Sequence, residues 1–114
     1  MYNAILLIPI LTGTIFIIIG LIMLKFPPKK INGLYGYRTS SSMKDQERWD
    51  FAQVYSAKEI IKLGGLLMLS SLIGLFYKFK ESIAIILGVG LLITMVVILL
   101  IRVERAIKKN FENK

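Results

Sequence analysis

The stretch Asn32-Gly33-Leu34-Tyr35-Gly36-Tyr37-Arg38-Thr39, with Asp45, Glu47 and Asp50 shortly after it, gathers the residues of this chain best suited to chemistry. Arg38 offers five donors in a planar fork that grips a carboxylate or a phosphate bidentately. Asn32, Gly33 and Gly36 favour turns with positive φ or close backbone approach. Tyr35 and Tyr37 suit the headgroup zone of a bilayer. Two spaced glycines without a Walker pattern are weak evidence for a phosphate cradle. The plainer expectation is an interfacial turn, with Arg38 on a lipid phosphate or on a nearby acid. Pairing Arg38 with Glu47 or Asp50 would clamp the turn to the helix that follows. Acid–base work by Asp45, Glu47 or Asp50 would need carboxylates within reach of a shaped pocket. No convincing pair is present, so no catalytic residue is expected.

The 114 residues contain no cysteine and no histidine. That excludes disulfides, thiolate or imidazole metal sites and Cys or His nucleophiles, and no cofactor is expected. The apolar share is 55% against 19% charged, with mean hydropathy +0.66. Small globules bury too little of their chain to hide that much apolar surface. The apolar residues also fall into three long blocks, which points to an all-α membrane protein forming a single domain over 1–114.

A spanning helix needs about 20 apolar residues. The first block, Ala4 to Leu24, is uncharged, contains Pro9 as a site for a kink, and is stopped by Pro27-Pro28. It lacks a basic leader region and a small-residue cleavage site, so it is expected to remain as an anchor. The second block, 60–77, crosses only if Ile60, Ile61 and a snorkelling Lys62 join Leu63 to Tyr77. The third, 82–101, is uncharged. Between the first two lies the motif loop, 26–59. In it Ser42 and Asp45 resemble a capping box. From there Trp49, Ala52, Gln53, Ser56 and Ile60 recur at helical spacing, overlapped by Phe51, Val54 and Tyr55. This predicts an amphipathic interfacial helix leading into the second of three transmembrane helices.

Lys and Arg counts set the orientation. None precede the first block, eight lie between the first and second, two between the second and third, and five follow the third. The alternation predicts an outside N-terminus, with the motif loop and C-terminus in the cytoplasm. The formal charge of +8 therefore reports topology and anionic lipid rather than nucleic acid, for which no recognisable module is present. Gly64, Gly65, Ser70, Ser71 and Gly74 in the second block, and Ala84, Gly88 and Gly90 in the third, predict close helix packing. A tight turn over Tyr77–Lys80 would make these two blocks an antiparallel hairpin. None of the spans carries an internal charge, which argues against a pump or coupled transporter.

Lys30 to Thr39, Ser40 to Met43 and Trp49-Asp50-Phe51-Ala52 together resemble the core motif of the SdpI family, bacterial membrane proteins named for immunity to a secreted toxic peptide. The resemblance covers about a quarter of the chain, and the surrounding helices fit the family's C-terminal membrane region. Gln53 stands where the family pattern suggests Asn, and the additional membrane segments that precede this region in the founding member are missing. The resemblance implies a bacterial cell-membrane protein giving immunity to, or sensing, a hydrophobic peptide toxin by non-catalytic binding. Candidate binding residues are Asn32, Gly33, Tyr35, Gly36, Arg38, Thr39, Trp49 and Asp50. A cytoplasmic regulator and a second copy of the chain are further partners in this view. Two other functions compete: an accessory subunit binding a partner protein or anionic lipid, and an enzyme acting on lipid headgroups.

Overall fold

The computed structural model describes residues 4–72, Phe76 and 80–111. Three helices make up the fold among these residues: α1 (Ala4–Lys25), α2 (Gln46–Ser70) and α3 (Glu81–Phe111). α1 ends where Pro27-Pro28 was expected to stop it, its last turn closed by the Phe26 amide on the Ile22 carbonyl at 2.7 Å. The helix continues through Pro9, which is buried.

α1 and α3 are both long and apolar enough to cross a membrane. Leu11, Ile15 and Leu21 of α1, and Ile86, Ile93 and Val97 of α3, face outward. A water-soluble fold would turn these side chains inward; a bilayer takes them as they stand. α3 continues well past Ile101, carrying the basic tail as helix.

The interfacial helix and the second apolar block form one helix rather than two elements. The 25 residues of α2 run unbroken from the polar Gln46 turn into Leu63–Ser70. Nothing between Trp49 and Leu63 breaks a helix: that stretch has neither Gly nor Pro. The change from polar to apolar surface at Lys62 alters what the helix faces, not its hydrogen bonding. The block's end beyond Leu72, with Gly74 and the Tyr77–Lys80 turn, lies outside the described residues apart from Phe76 and Lys80.

Small residues set the packing, and they do so mainly against α1. A Cβ on Gly13 would lie 2.6 Å from the Gly64 carbonyl oxygen, and one on Gly64 would lie 2.7 Å from that of Gly13. The two backbones meet there with no space for a side chain. Gly88 of α3 likewise receives Ile8 of α1, with a Cβ distance of 3.1 Å. Gly65 and Gly90 face open space, so these two do not mediate helix contact. One buried cluster sits at the loop end of the bundle, where Tyr37, Ala52, Val103 and Ile107 gather with Phe51, Tyr55, Leu99 and Phe111 around them.

Candidate functional site

The loop 26–45 is built by side chains that take over the backbone pairing a helix or strand would supply. Asn32 opens it with an Asx turn. Its Oδ1 accepts from the Leu34 and Tyr35 amides at 2.9 and 2.7 Å, while its Nδ2 donates to the Lys30 carbonyl at 2.9 Å. The Tyr35 hydroxyl donates to the Phe26 carbonyl at 2.7 Å, closing the loop's start over the end of α1. Gly36 has φ +107, in the left-handed region that favours glycine. A Cβ there would also lie 2.5 Å from Gln53 Oε1 and 2.7 Å from Pro28. Of the two motif glycines only Gly36 is demanded by geometry, since Gly33 faces open space.

α2 holds this loop with three side chains from one face. Gln53, 2% exposed, accepts from the Tyr37 amide at 2.7 Å and donates to the Tyr37 carbonyl at 2.8 Å. Its amide thus pairs with a backbone residue as a neighbouring strand would. Trp49 is fully buried and donates its indole N–H to the Pro28 carbonyl at 2.6 Å. Gln46 Nε2 reaches the Lys29 carbonyl at 2.5 Å and Asp50 Oδ1 at 2.7 Å. The helical stripe seen in the sequence is therefore the loop-gripping face.

Two expected contacts are replaced by others. Arg38 donates to the Gly33 carbonyl within its own turn, and Glu47 and Asp50 do not pair with it. One donor of that fork is taken up locally, where the turn brings a carbonyl to it. The capping box is also absent. Asp45 alone is the N-cap of α2, accepting from the Arg48 amide at 2.8 Å and from the Arg48 side chain. That amide, and then the guanidinium, hold the Asp45 carboxyl below its usual range. Ser42 instead closes the preceding turn: its hydroxyl accepts from the Thr39 amide at 2.9 Å and donates to the Tyr37 carbonyl at 3.1 Å.

The strongest polar centre lies on a residue that sequence reasoning passed over. Glu104 of α3 accepts hydroxyl protons from Tyr37 at 2.6 Å, from Thr39 at 2.9 Å and from Ser41. Burial, reinforced by the Glu104 carboxylate, raises the Tyr37 phenol well above its ordinary value, so it stays a donor at any physiological pH. Glu104 latches the loop to α3 as Gln53 and Trp49 latch it to α2. The only sequence signal was an acid within a basic tail, one turn past the apolar run, and that pattern fits a solvated residue equally well.

Beneath the Tyr35–Thr39 stretch is a cavity of about 280 Å³, walled by Ile19 and Met23 of α1, Ile60 of α2 and Leu100 of α3. Of the candidate residues, Tyr35, Gly36, Arg38 and Thr39 come together at its rim. Asn32 and Gly33 shape the adjoining turn, whereas Trp49 and Asp50 lie away from the cavity in the α2 clamp.

These features define a small helical membrane protein whose polar loop is locked over the ends of its helices. The chain belongs to the SdpI/YfhL protein family, whose profile matches residues 29–101, more than half of its length. It is 50% identical over 56 residues to the uncharacterized protein YfhL of Bacillus subtilis (strain 168). That match covers 49% of this chain and 50% of the relative, so the chain spans about half the length of the curated relative it matches. No solved structure matches it.

Proposed function

We propose that the chain is a non-catalytic immunity or sensing protein that binds a hydrophobic, membrane-active peptide. The observation that carries this reading is the cavity under Tyr35–Thr39, whose apolar walls come from all three helices and whose rim is the family motif. An apolar pocket with a few convergent polar groups is the usual form of a recognition site. Arg38 is exposed at that rim, with donors to spare for a peptide carbonyl or carboxylate. In this reading the chain crosses the membrane three times, α2 entering the bilayer near Lys62, with the N-terminus outside and the loop cytoplasmic. The alternating Lys and Arg counts support that topology.

The test is a protection assay in cells challenged with membrane-active peptides, with expression held equal. Arg38→Gln alters the rim, and Leu100→Trp fills the cavity. Both should reduce protection several-fold while leaving the amount of membrane-inserted protein unchanged. If deleting the gene leaves cells no more sensitive to any such peptide, the reading is abandoned.

A further inference from the structure

On the side of α3 away from Glu104, Arg102, Arg105, Ala106 and Lys109 form a single stripe. At about 100° per residue these positions share a face, and position 104 points roughly opposite. The facing wall is aromatic: Phe51 and Tyr55 of α2 stack at 5.5 Å, and Phe111 meets Phe51 edge-on at 5.6 Å. Between the walls is an open groove of about 530 Å³, lined by three cations and no carboxylate. Glu59 lies beside it but is shared by Arg102 and by Lys62, the latter at 3.3 Å, so it does not cancel the positive charge. Arg105 and Lys109 make no hydrogen bond or ion pair among the described residues.

We propose that this groove binds the phosphodiester headgroup of an anionic phospholipid. Depth argues for a lipid over a free anion: Arg102 directly follows the uncharged run 82–101, which places the stripe at headgroup level. Arg105 and Lys109 supply donors to the phosphate oxygens. Tyr55 lies beside Arg102 at the bilayer end of the groove, the wet-and-apolar boundary that aromatic side chains favour, while Phe51, edge-on to Phe111, closes the end away from the bilayer. The groove and the loop-capped cavity lie on opposite sides of α3, so this site stands or falls apart from peptide binding.

Native mass spectrometry of the full chain in detergent, with phosphatidylglycerol or phosphatidylcholine added, tests it. The wild type should retain phosphatidylglycerol preferentially. The double variant Arg105→Gln/Lys109→Gln should weaken that retention about tenfold, since each cation near a membrane surface contributes appreciably to anionic lipid binding. The control Lys29→Gln/Lys30→Gln removes the same charge elsewhere and should stay within about twofold of wild type. Equal losses in both variants, or no preference in the wild type, would overturn the proposal. Ala106→Phe narrows the groove while keeping both cations, and it should also lose the lipid. Should the double variant lose helicity by circular dichroism, Ala106→Phe decides the matter. Displacement of the lipid by inorganic phosphate, but not by chloride at equal ionic strength, would point to a small-anion site and overturn the lipid assignment.

Discussion

Trp49 and Arg38 belong to the same motif, eleven positions apart, yet the structure holds them in opposite ways. Trp49 is fully enclosed and fixes the Pro28 carbonyl, while Arg38 stands exposed and, among the described residues, bonds only within its own turn. Gln53 and Gly36 side with Trp49, because both are needed to seat the Tyr37 backbone. Asn32, whose side chain takes up the Leu34 and Tyr35 amides, joins them, whereas Gly33, which faces open space, sides with Arg38. One half of the motif builds the loop, and the other half presents it. A motif of this kind therefore mixes residues whose loss unfolds the loop with residues whose loss changes only what it meets.

Substitutions that respect this division should sort by size. Trp49→Ala removes a fully buried indole and its hydrogen bond, and should destabilise the protein by about 3–5 kcal/mol, measured by denaturant titration in detergent. A loss below about 1 kcal/mol would erase the contrast with Arg38. Gly36→Ala should cost about 1–3 kcal/mol through the left-handed φ and the clash with Gln53, and should speed proteolysis within 26–45. Glu104→Gln replaces charged acceptance of three hydroxyl protons by neutral acceptance at one oxygen, at a cost of about 1–2 kcal/mol. Arg38→Gln should change stability by less than about 0.5 kcal/mol while still lowering peptide protection. If Arg38→Gln destabilises as much as Gly36→Ala, the presenting half is structural too.

Tyr37 adds a test by pH. Its folded value is raised above the unfolded one near 10, so the protonated phenol contributes its full stabilisation below about pH 10. That contribution is lost as pH climbs through the folded value. Ultraviolet titration should show one phenol ionising well above the ordinary range, and Tyr37→Phe should remove that late step.

The buried stripe of α2 was legible in the sequence because helical spacing is local, whereas its partners Pro28 and Tyr37, sixteen or more positions away, were not. Trp49, Ala52, Gln53 and Ser56 repeat at helical spacing, and the same four are buried on α2. The Glu104 latch was not legible, since its donors lie more than sixty positions earlier and a lone acid in a basic tail looks solvated. The continuity of α2 was not legible either, because the change of polarity near Lys62 looks like a boundary. Hydropathy reports the medium around a helix, whereas continuity depends on backbone donors and on breakers, absent between Trp49 and Leu63. The Arg38 pairing with Glu47 or Asp50 fails for a related reason: charge favours an acid, but the turn offers a nearer carbonyl.

The unbroken run of α2 has a mechanical consequence. Gly64, in backbone contact with α1, and Gln53, in contact with the loop, ride on the same rod about 16 Å apart. A rod of that length tilted by about 5° about its contact with α1 carries its far end roughly 1.4 Å sideways, enough to break hydrogen bonds of ordinary length. Whatever wedges α1 from α2 at Gly64 is thus felt as lateral displacement at Tyr37, with no hinge between to absorb it.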